Sequence, residues 1–199
     1  MANLACWCKT QIPSDILFGF NKDMDGKDTA SILEQSTVFA GSAESTDEGG
    51  KGIVKDIRKS KNFWVPTNYW IGGWVWYYIQ KMNRENFKYD ILDIEDDHIQ
   101  YTHYDIGDYY DWHSDTELSR YEQHTENVRK LSFTVQISSP NEYTGGELEF
   151  LDLNNESFLA PKDFGSVIVF DSRVRHRVCK VKTGVRKSLV GWVVGPRWR

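Results

Sequence analysis

The sequence has little cysteine and little proline, with three and five residues respectively among 199. Three cysteines are an odd number without framework spacing, so we expect no disulfide scaffold and a reducing, cytoplasmic location. Cys6 and Cys8 lie close together but lack nearby partner ligands, which makes them a poor zinc site. The chain also lacks a long apolar run, and its start has neither the basic nor the apolar part of a signal peptide. We therefore expect no membrane association.

The charge balance excludes a further class of partner. The formal net charge is -5 at pH 7, whereas binding of nucleic acid requires clustered cations that neutralise phosphates. What the chain has in abundance is aromatic residues, 14% of the sequence with eight tryptophans, which is typical of a full core or an aromatic-lined cleft. A length of 199 residues fits one domain with a complete hydrophobic core.

The first part of the chain has helical patterns. The apolar spacing that follows Pro13 predicts a short helix, and a second helix is predicted within residues 66–82. Its aromatic residues recur at i, i+4, i+7 and i+8, which predicts a face that packs in the core against a sheet. Between the two helices, residues 40–52 are small, polar and acidic, which indicates a loop that is either a lid or a plain surface loop. The aromatic positions of the second helix are Trp70, Trp74, Tyr77 and Tyr78.

From about residue 99 the pattern changes to short strands separated by turns. Residues 131–137 alternate, so Ser132, Thr134 and Gln136 should share one face. Helices followed by many short strands indicate an α+β fold with a double-stranded β-helix core, a cupin-like jelly roll, and N-terminal helices packed on one sheet. We expect one domain over residues 1–199, with the jelly-roll core at about 53–194 and helical support at about 13–90.

A histidine and an aspartate two residues apart suggest a metal site. On a strand, His113 and Asp115 would point to the same face, and a remote histidine, His176, would complete the facial triad of non-haem Fe(II) oxygenases. The pair alone is weak support, because a surface histidine beside a solvated aspartate has the same pattern. Residues further along the chain favour the metal site.

Arg186 lies ten residues after His176 and shares one strand face with Ser188, Val190 and Trp192. A guanidinium that points into a barrel is costly unless an anion meets it. Arginine binds carboxylates in a bidentate manner, and the Ser188 hydroxyl can add a donor. This strand therefore predicts an anion site beside the metal site.

Together these stretches resemble the 2-oxoglutarate- and Fe(II)-dependent oxygenases, and within them the prolyl 4-hydroxylase and PKHD-type hydroxylase group. The resemblance extends over roughly residues 53–192. The motifs that carry it are 100–115, 131–148, 164–170, 176–178 and 184–186.

The resemblance implies a role for nine residues, and the strand face shared with Arg186 adds Ser188 as a tenth. Fe(II) would be held by His113, Asp115 and His176, and Arg186 would bind the distal carboxylate of 2-oxoglutarate. Gln136 stands where animal oxygen-sensing relatives have a tyrosine against that carboxylate. The other residues expected near the cosubstrate are Tyr104 and Ser188, and those expected near the substrate are Tyr110, Arg58 and Trp64.

The implied function is a 2-oxoglutarate-dependent dioxygenase that hydroxylates a C–H bond and releases succinate and CO2. The substrate would be a prolyl residue in a proline-containing peptide or protein, with ascorbate as a reductant. Two alternatives stay open at this point. The same cofactors could act on a free amino acid or another small molecule, or the chain could be a metal-free jelly-roll binding module.

Overall fold

The structure is a computed structural model that describes residues 5–8, 12–25, 34–35, 38–39, 51–52, 57–116 and 126–198. Most of the predicted loop 40–52 lies outside these residues. Only Lys51–Gly52 of that loop is described, as a short strand paired with Val38–Phe39. A role of the loop as a lid therefore stays a prediction.

Two α-helices are described, and each follows a pattern in the sequence. Helix α1 is Ser14–Asp25 and helix α2 is Trp70–Met82, as predicted from the apolar spacing. A π-helical turn follows at Asn83–Phe87 and a 3-10 turn lies at Glu95–Asp97. Neither helix is both long enough and apolar enough to cross a membrane.

The rest of the described chain is mainly β-structure. In chain order the strands are β1 Ala5–Cys8, β2 Glu34–Gln35, β3 Val38–Phe39, β4 Lys51–Gly52, β5 Arg58–Lys59, β6 Lys61–Pro66, β7 Asp93–Ile94, β8 His98–Tyr104, β9 Tyr109–His113, β10 Asn127–Gln136, β11 Tyr143–Gly145, β12 Leu148–Leu151, β13 Ser157–Leu159, β14 Val167–Asp171, β15 His176–Val178, β16 Val181–Gly184 and β17 Arg186–Pro196.

The strands form two main antiparallel sheets that face each other. The large sheet has the order β1-β14-β10-β17-β8-β6-β2, with β7 added to β17. The small sheet has the order β13-β12-β15-β9-β5. One buried cluster joins the two sheets, since Tyr104 and Phe170 of the large sheet pack with Phe150 and Val178 of the small one. This is the predicted jelly roll, so the predicted fold class is confirmed.

The two helices cover the outer face of the large sheet. Leu17 and Phe20 of α1 and Ile79 of α2 belong to one buried cluster with sheet residues such as Phe133 and Leu189. These sheet residues are the alternate positions that point away from the small sheet. The apolar burial that stabilises the fold is therefore concentrated on this outer face.

The prediction for the aromatic residues of α2 was wrong. Trp70, Trp74 and Tyr77 are 41%, 37% and 57% exposed, and of the four aromatic positions only Tyr78 is buried. The face that packs on the sheet is mainly aliphatic instead. Gly72 lies on this buried face, where a Cβ would stand only 1.9 Å from the Thr67 carbonyl oxygen. The aliphatic face of α2 therefore packs closely on its neighbours, and the bulky indoles lie on the exposed side of the helix. The buried residues of the helix are Ile71, Gly72, Val75, Tyr78, Ile79 and Met82.

Residues 176–184 form two strands that belong to different sheets. β15 belongs to the small sheet, whereas β16 pairs with β11 in a separate two-stranded sheet. Gly145 and Gly184 of this small ribbon have positive φ angles of 73° and 69°, a conformation that glycine adopts without steric cost. The ribbon brings Tyr143 opposite Gly184, immediately before β17.

The inner face of the large sheet is polar. Cross-strand partners share a face, and the register pairs Ser132 with Phe170, Gln136 with Ser188, and Arg186 with Tyr104. The alternation predicted for β10 is therefore confirmed. A buried polar lining is stable only when its groups are hydrogen-bonded, so this face is suited to bind a polar ligand. Its buried polar residues include Asn62, Gln100, Thr102, Ser132, Thr134, Gln136, Arg186 and Ser188.

Candidate metal centre and adjoining anion pocket

Three side chains with metal-binding atoms converge between the two sheets. The Nε2 atom of His113 is 3.7 Å from Oδ1 of Asp115, and Nε2 of His176 is 3.5 Å from Oδ2 of Asp115. One ligand atom from each residue lies within 4.8 Å of the other two. No other group of three His, Cys, Asp or Glu side chains does so among the residues that the structure describes.

The backbone explains this convergence. His113 on β9 pairs directly with His176 on β15, so both imidazoles project to the same side, with centroids 4.2 Å apart. Asp115 lies beyond the end of β9, and its N–H donates to the Ser172 carbonyl at 2.9 Å. Strand alternation therefore accounts for the direction of His113, whereas the loop contact accounts for Asp115.

Each imidazole is fixed by a backbone carbonyl two residues before it. Nδ1 of His113 is 2.7 Å from the Asp111 oxygen, and Nδ1 of His176 is 2.9 Å from the Val174 oxygen. A carbonyl only accepts hydrogen bonds, so Nδ1 carries the proton in both rings. Both Nε2 atoms are left with a lone pair that faces Asp115, which is the tautomer that a metal ligand requires.

One serine orients the carboxylate, and a second serine contacts the first. The Ser132 hydroxyl donates to Oδ2 of Asp115 at 2.6 Å, and it lies 3.0 Å from the Ser172 hydroxyl. Ser132 was assigned by alternation to the face that carries Gln136, but no role was predicted for it. Such partners of a ligating carboxylate fix its direction and tune its affinity for a metal.

The electrostatics favour a neutral His113 imidazole beside an anionic Asp115 carboxylate. Burial, reinforced by the neighbouring His176, lowers the pKa of His113 to about 3. Burial would raise the pKa of Asp115, but His176, His113, Arg129 and the Ser132 hydrogen bond outweigh it, and the pKa falls below its ordinary value. Two neutral nitrogen donors and one anionic oxygen donor form the facial donor set of non-haem iron sites, and this set leaves positions open for other ligands.

Arg129 and Glu95 hold the backbone of Asp115, and neither was predicted from the sequence. Arg129 forms a bidentate ion pair with Glu95, with Nε 2.8 Å from Oε2, and Nη1 donates to the Asp115 carbonyl at 3.3 Å. The guanidinium also stacks on Trp192 at 4.0 Å. Nothing local in the sequence indicates that Glu95 has a partner.

Two of the expected substrate residues lie beside His113. The Tyr110 ring stacks on the His113 ring with centroids 3.5 Å apart and planes 14° apart. The Arg58 guanidinium lies 4.7 Å from the Tyr110 centroid and donates to Ser60 and to Gln100, each at 2.8 Å. Arg58 is buried, so the structure brings a second cation into the interior close to the metal ligands.

Trp64, the third expected substrate residue, is partly exposed. It lies on β6 with 49% of its surface exposed, and its ring centroid is 6.4 Å from that of Trp192. Trp64 is therefore not a core residue. The exposed indole lies beside the Trp192 ring on which Arg129 stacks.

The expected cosubstrate residues also come together. Arg186 is 1% exposed and donates to the Ser188 hydroxyl and to the Gln136 side-chain oxygen, each at 3.1 Å. Its guanidinium carbon is 5.3 Å from the Tyr104 ring centroid. All of these contacts are neutral, and Arg186 forms no ion pair with a carboxylate of the described residues.

This pocket fits a carboxylate ligand. The Nε atom of Arg186 is buried and has no hydrogen-bond partner within the described parts of the chain. A buried cation that lacks both a counter-ion and one hydrogen bond is unfavourable, whereas a carboxylate satisfies both needs. The residues present therefore suit the distal carboxylate of 2-oxoglutarate on a chemical basis, as the three converging ligands suit Fe(II).

The sequence model of the 2OG-Fe(II) oxygenase superfamily matches residues 99–194, a segment that includes His113, Asp115, His176 and Arg186. Residues 99–194 belong to the 2OG-Fe(II) oxygenase superfamily. The match covers the region from β8 to β17, in which the inner face of the large sheet and all three converging ligands lie.

Solved structures of prolyl hydroxylases have the same fold as this chain. A prolyl-4-hydroxylase of Pseudomonas putida superposes with a TM-score of 0.71 over 98% of this chain and 94% of that chain, at 16% identity. A prolyl hydroxylase from Trichoplax adhaerens, in complex with a hypoxia inducible factor peptide fragment, superposes with a TM-score of 0.72 over 96% and 83%, at 15% identity. Likeness at these identities establishes the fold.

Sequence relatives among the oxygenases are PKHD-type hydroxylases. One from Synechococcus sp. (strain CC9902) is 35% identical over 89 residues, which are 45% of this chain and 37% of that protein. Another from Prochlorococcus marinus (strain MIT 9515) is 43% identical over 63 residues, which are 32% of this chain and 28% of that protein. The chain thus covers well under two thirds of the length of either relative.

Proposed function

We propose that this protein is an Fe(II)- and 2-oxoglutarate-dependent dioxygenase that hydroxylates a C–H bond of a prolyl residue in a peptide or protein. The observation that carries the proposal is the pairing of two sites on one polar interior. His113, Asp115 and His176 offer a facial donor set, and Arg186 on the facing sheet lacks a counter-ion among the described residues. One cosubstrate with a chelating 2-oxo acid and a distal carboxylate satisfies both.

Each residue has a definable task in this reaction. Bound Fe(II), with 2-oxoglutarate and O2, supplies the oxidising chemistry, and succinate and CO2 are released. His113 and His176 present neutral Nε2 atoms because their Nδ1 protons are held by backbone carbonyls. Asp115 supplies the anionic donor, and Arg186 binds the distal carboxylate with support from Gln136 and from the Ser188 and Tyr104 side chains.

The preference for a prolyl substrate has two supports. The relatives are PKHD-type hydroxylases and the fold is that of prolyl hydroxylases, one of which was solved with a peptide. The exposed Trp64 beside Trp192, and Tyr110 beside His113, offer flat aromatic surfaces of the kind that pack against an apolar ring. Arg58 adds a buried donor for a carbonyl group of the substrate.

The decisive test is a search by mass spectrometry for a gain of one oxygen on proline-containing peptides, with succinate measured in parallel. We expect oxygenated peptide and succinate in equal amounts. If only free proline or another small molecule is oxygenated, the proposed peptide substrate is wrong but the proposed cofactors are correct. If the protein binds neither Mn(II) nor Fe(II), the proposal is refuted, and the remaining alternative is a metal-free binding module.

Two histidine variants provide a matched control. His113→Ala should abolish the thermal stabilisation by Mn(II) and all succinate release, because one of three ligands is lost. His103→Ala removes a histidine that contacts Asp105 rather than the metal ligands, so it should keep both. Ascorbate as a reductant stays a prediction, which is tested by the number of turnovers with and without it.

A further inference from the structure

Two buried polar atoms without partners lie in the same part of the interior. The Tyr143 hydroxyl and the Nε atom of Arg186 each lack a hydrogen-bond partner among the residues the structure covers. Tyr143 is 2% exposed and Arg186 is 1% exposed, so water does not satisfy these atoms freely. A buried polar group without a partner is costly, and two such groups together indicate a ligand with acceptor atoms.

The backbone holds the Tyr143 ring against Arg186. Tyr143 pairs with Gly184 across the β11–β16 ribbon, two residues before Arg186. The Lys162 ammonium lies 4.1 Å from the ring centroid. On the other side, a Cβ added to Gly146 would stand 3.0 Å from Cδ of Arg186 and 3.3 Å from Cε2 of Tyr143. Gly146, whose φ is 64°, therefore packs closely against both side chains, and a side chain at this position would crowd them.

The electrostatics keep the Tyr143 hydroxyl a donor. Burial raises the pKa of Tyr143, while the charge of the neighbouring Arg186 and the approach of its guanidinium to the phenol oxygen oppose that rise. The net shift is upward, so the phenol stays protonated at neutral pH. A protonated hydroxyl and a guanidinium N–H that both lack acceptors are suited to the two oxygens of one carboxylate.

The geometry points to Tyr143 as a specificity-determining residue that donates a hydrogen bond to the distal carboxylate of the 2-oxo acid held by Arg186. This inference rests on the proposed function, since it assumes that 2-oxoglutarate binds at Arg186. It adds a donor from β11, a strand outside both main sheets, to those on β10 and β17. Tyr143 therefore discriminates 2-oxoglutarate from 2-oxo acids that end in a methyl group.

The test compares two ligands and two variants with the full chain and Mn(II) in the absence of O2. Dissociation constants are measured by calorimetry for 2-oxoglutarate and for 2-oxopentanoate, in which a methyl group replaces the distal carboxylate. Tyr143→Phe removes only the hydroxyl. Tyr101→Phe is the control, because Tyr101 is equally buried but packs on Phe63 in the core on the helix side.

We expect Tyr143→Phe to weaken 2-oxoglutarate binding by about tenfold or more, as for the loss of a hydrogen bond to a charged group. Binding of 2-oxopentanoate and of Mn(II) should not change, and Tyr101→Phe should leave all three constants unchanged. An equal loss for both 2-oxo acids would assign Tyr143 a merely structural role and overturn the inference.

The result also separates this inference from the proposed function. If the unmodified protein binds 2-oxoglutarate and Tyr143→Phe binds it equally well, only the role of Tyr143 is wrong. If the unmodified protein binds Mn(II) but not 2-oxoglutarate, the proposed function fails and the inference fails with it. Because Tyr143→Phe preserves the ring on which Lys162 lies, thermal unfolding of the ligand-free variant should match the unmodified protein within a few degrees.

Discussion

Two buried serines on the inner face of the large sheet should affect different ligands. Ser132 donates to the Asp115 carboxylate at 2.6 Å, and Ser188 accepts from Arg186 at 3.1 Å. Both side chains are 0% exposed, and each loses only a hydroxyl on replacement by alanine. We predict that Ser132→Ala weakens metal binding and that Ser188→Ala weakens 2-oxoglutarate binding, without the reverse effects.

The magnitude follows from the charge of each partner. A hydrogen bond to a charged group contributes about 1.5–3 kcal/mol, or about ten- to a hundredfold in a dissociation constant. Loss of the outer partner of a metal-binding carboxylate costs about 10–100-fold in metal affinity. Part of the Ser132 contribution is already present in the metal-free protein, where Asp115 is a buried anion. Loss of that part in Ser132→Ala should lower the unfolding free energy of the metal-free protein by about 1 kcal/mol.

The assay is a pair of calorimetric titrations in the absence of O2. Mn(II) is titrated into each variant, and 2-oxoglutarate is then titrated into the Mn(II)-saturated protein. Ser132→Ala should bind Mn(II) about tenfold or more weakly, and Ser188→Ala should bind 2-oxoglutarate about tenfold more weakly. If both variants lose affinity for both ligands, the two sites are not separable and the assignment of the pockets is refuted.

Three further predictions address other contacts of the site. Arg186→Met should raise the dissociation constant of 2-oxoglutarate by about two orders of magnitude or more, while the constant for Mn(II), measured by calorimetry, stays unchanged. Glu95→Gln should free Arg129 from its ion pair and lower the unfolding free energy by about 1 kcal/mol or less in urea, since the pair is partly exposed. The pKa of His113 is about 3 in the metal-free fold and about 6.5 in the unfolded chain. The unfolded chain therefore binds more protons between these values, and the unfolding free energy should fall by up to about 1.4 kcal/mol per pH unit on acidification, with a flatter profile in His113→Gln.

Period-two alternation is the reason that much of the site was predictable. It assigned Ser132 and Gln136 to one face of β10, and Arg186 and Ser188 to one face of β17, and the register of the two strands places these faces together. The direction of His113 follows from the same rule. A pattern with a fixed period survives folding because the pleat of a strand is the same in any sheet.

Contacts that depend on the pairing of distant loops were not predictable in this way. The sequence indicates no role for Tyr143, because its pairing with Gly184 joins segments that no local pattern connects. Nor does the sequence indicate that Glu95 forms an ion pair with the distant Arg129. The aromatic stripe of α2 read as core because both faces of that helix are apolar, and periodicity alone does not select between two apolar faces.

The large sheet has two faces with opposite requirements. Its outer face packs Phe133 and Leu189 against the helices and supplies apolar burial. Its inner face holds the buried Arg186, and it holds Ser132 against the anionic Asp115; desolvation of these groups opposes folding. Because alternate residues of the same strands serve the two faces, a rigid apolar side holds the polar side in position even before any ligand binds. The unpaired Nε of Arg186 is then a preorganised donor. Because the cost of burying it is already included in the folding free energy, that cost should not reduce the affinity for a ligand.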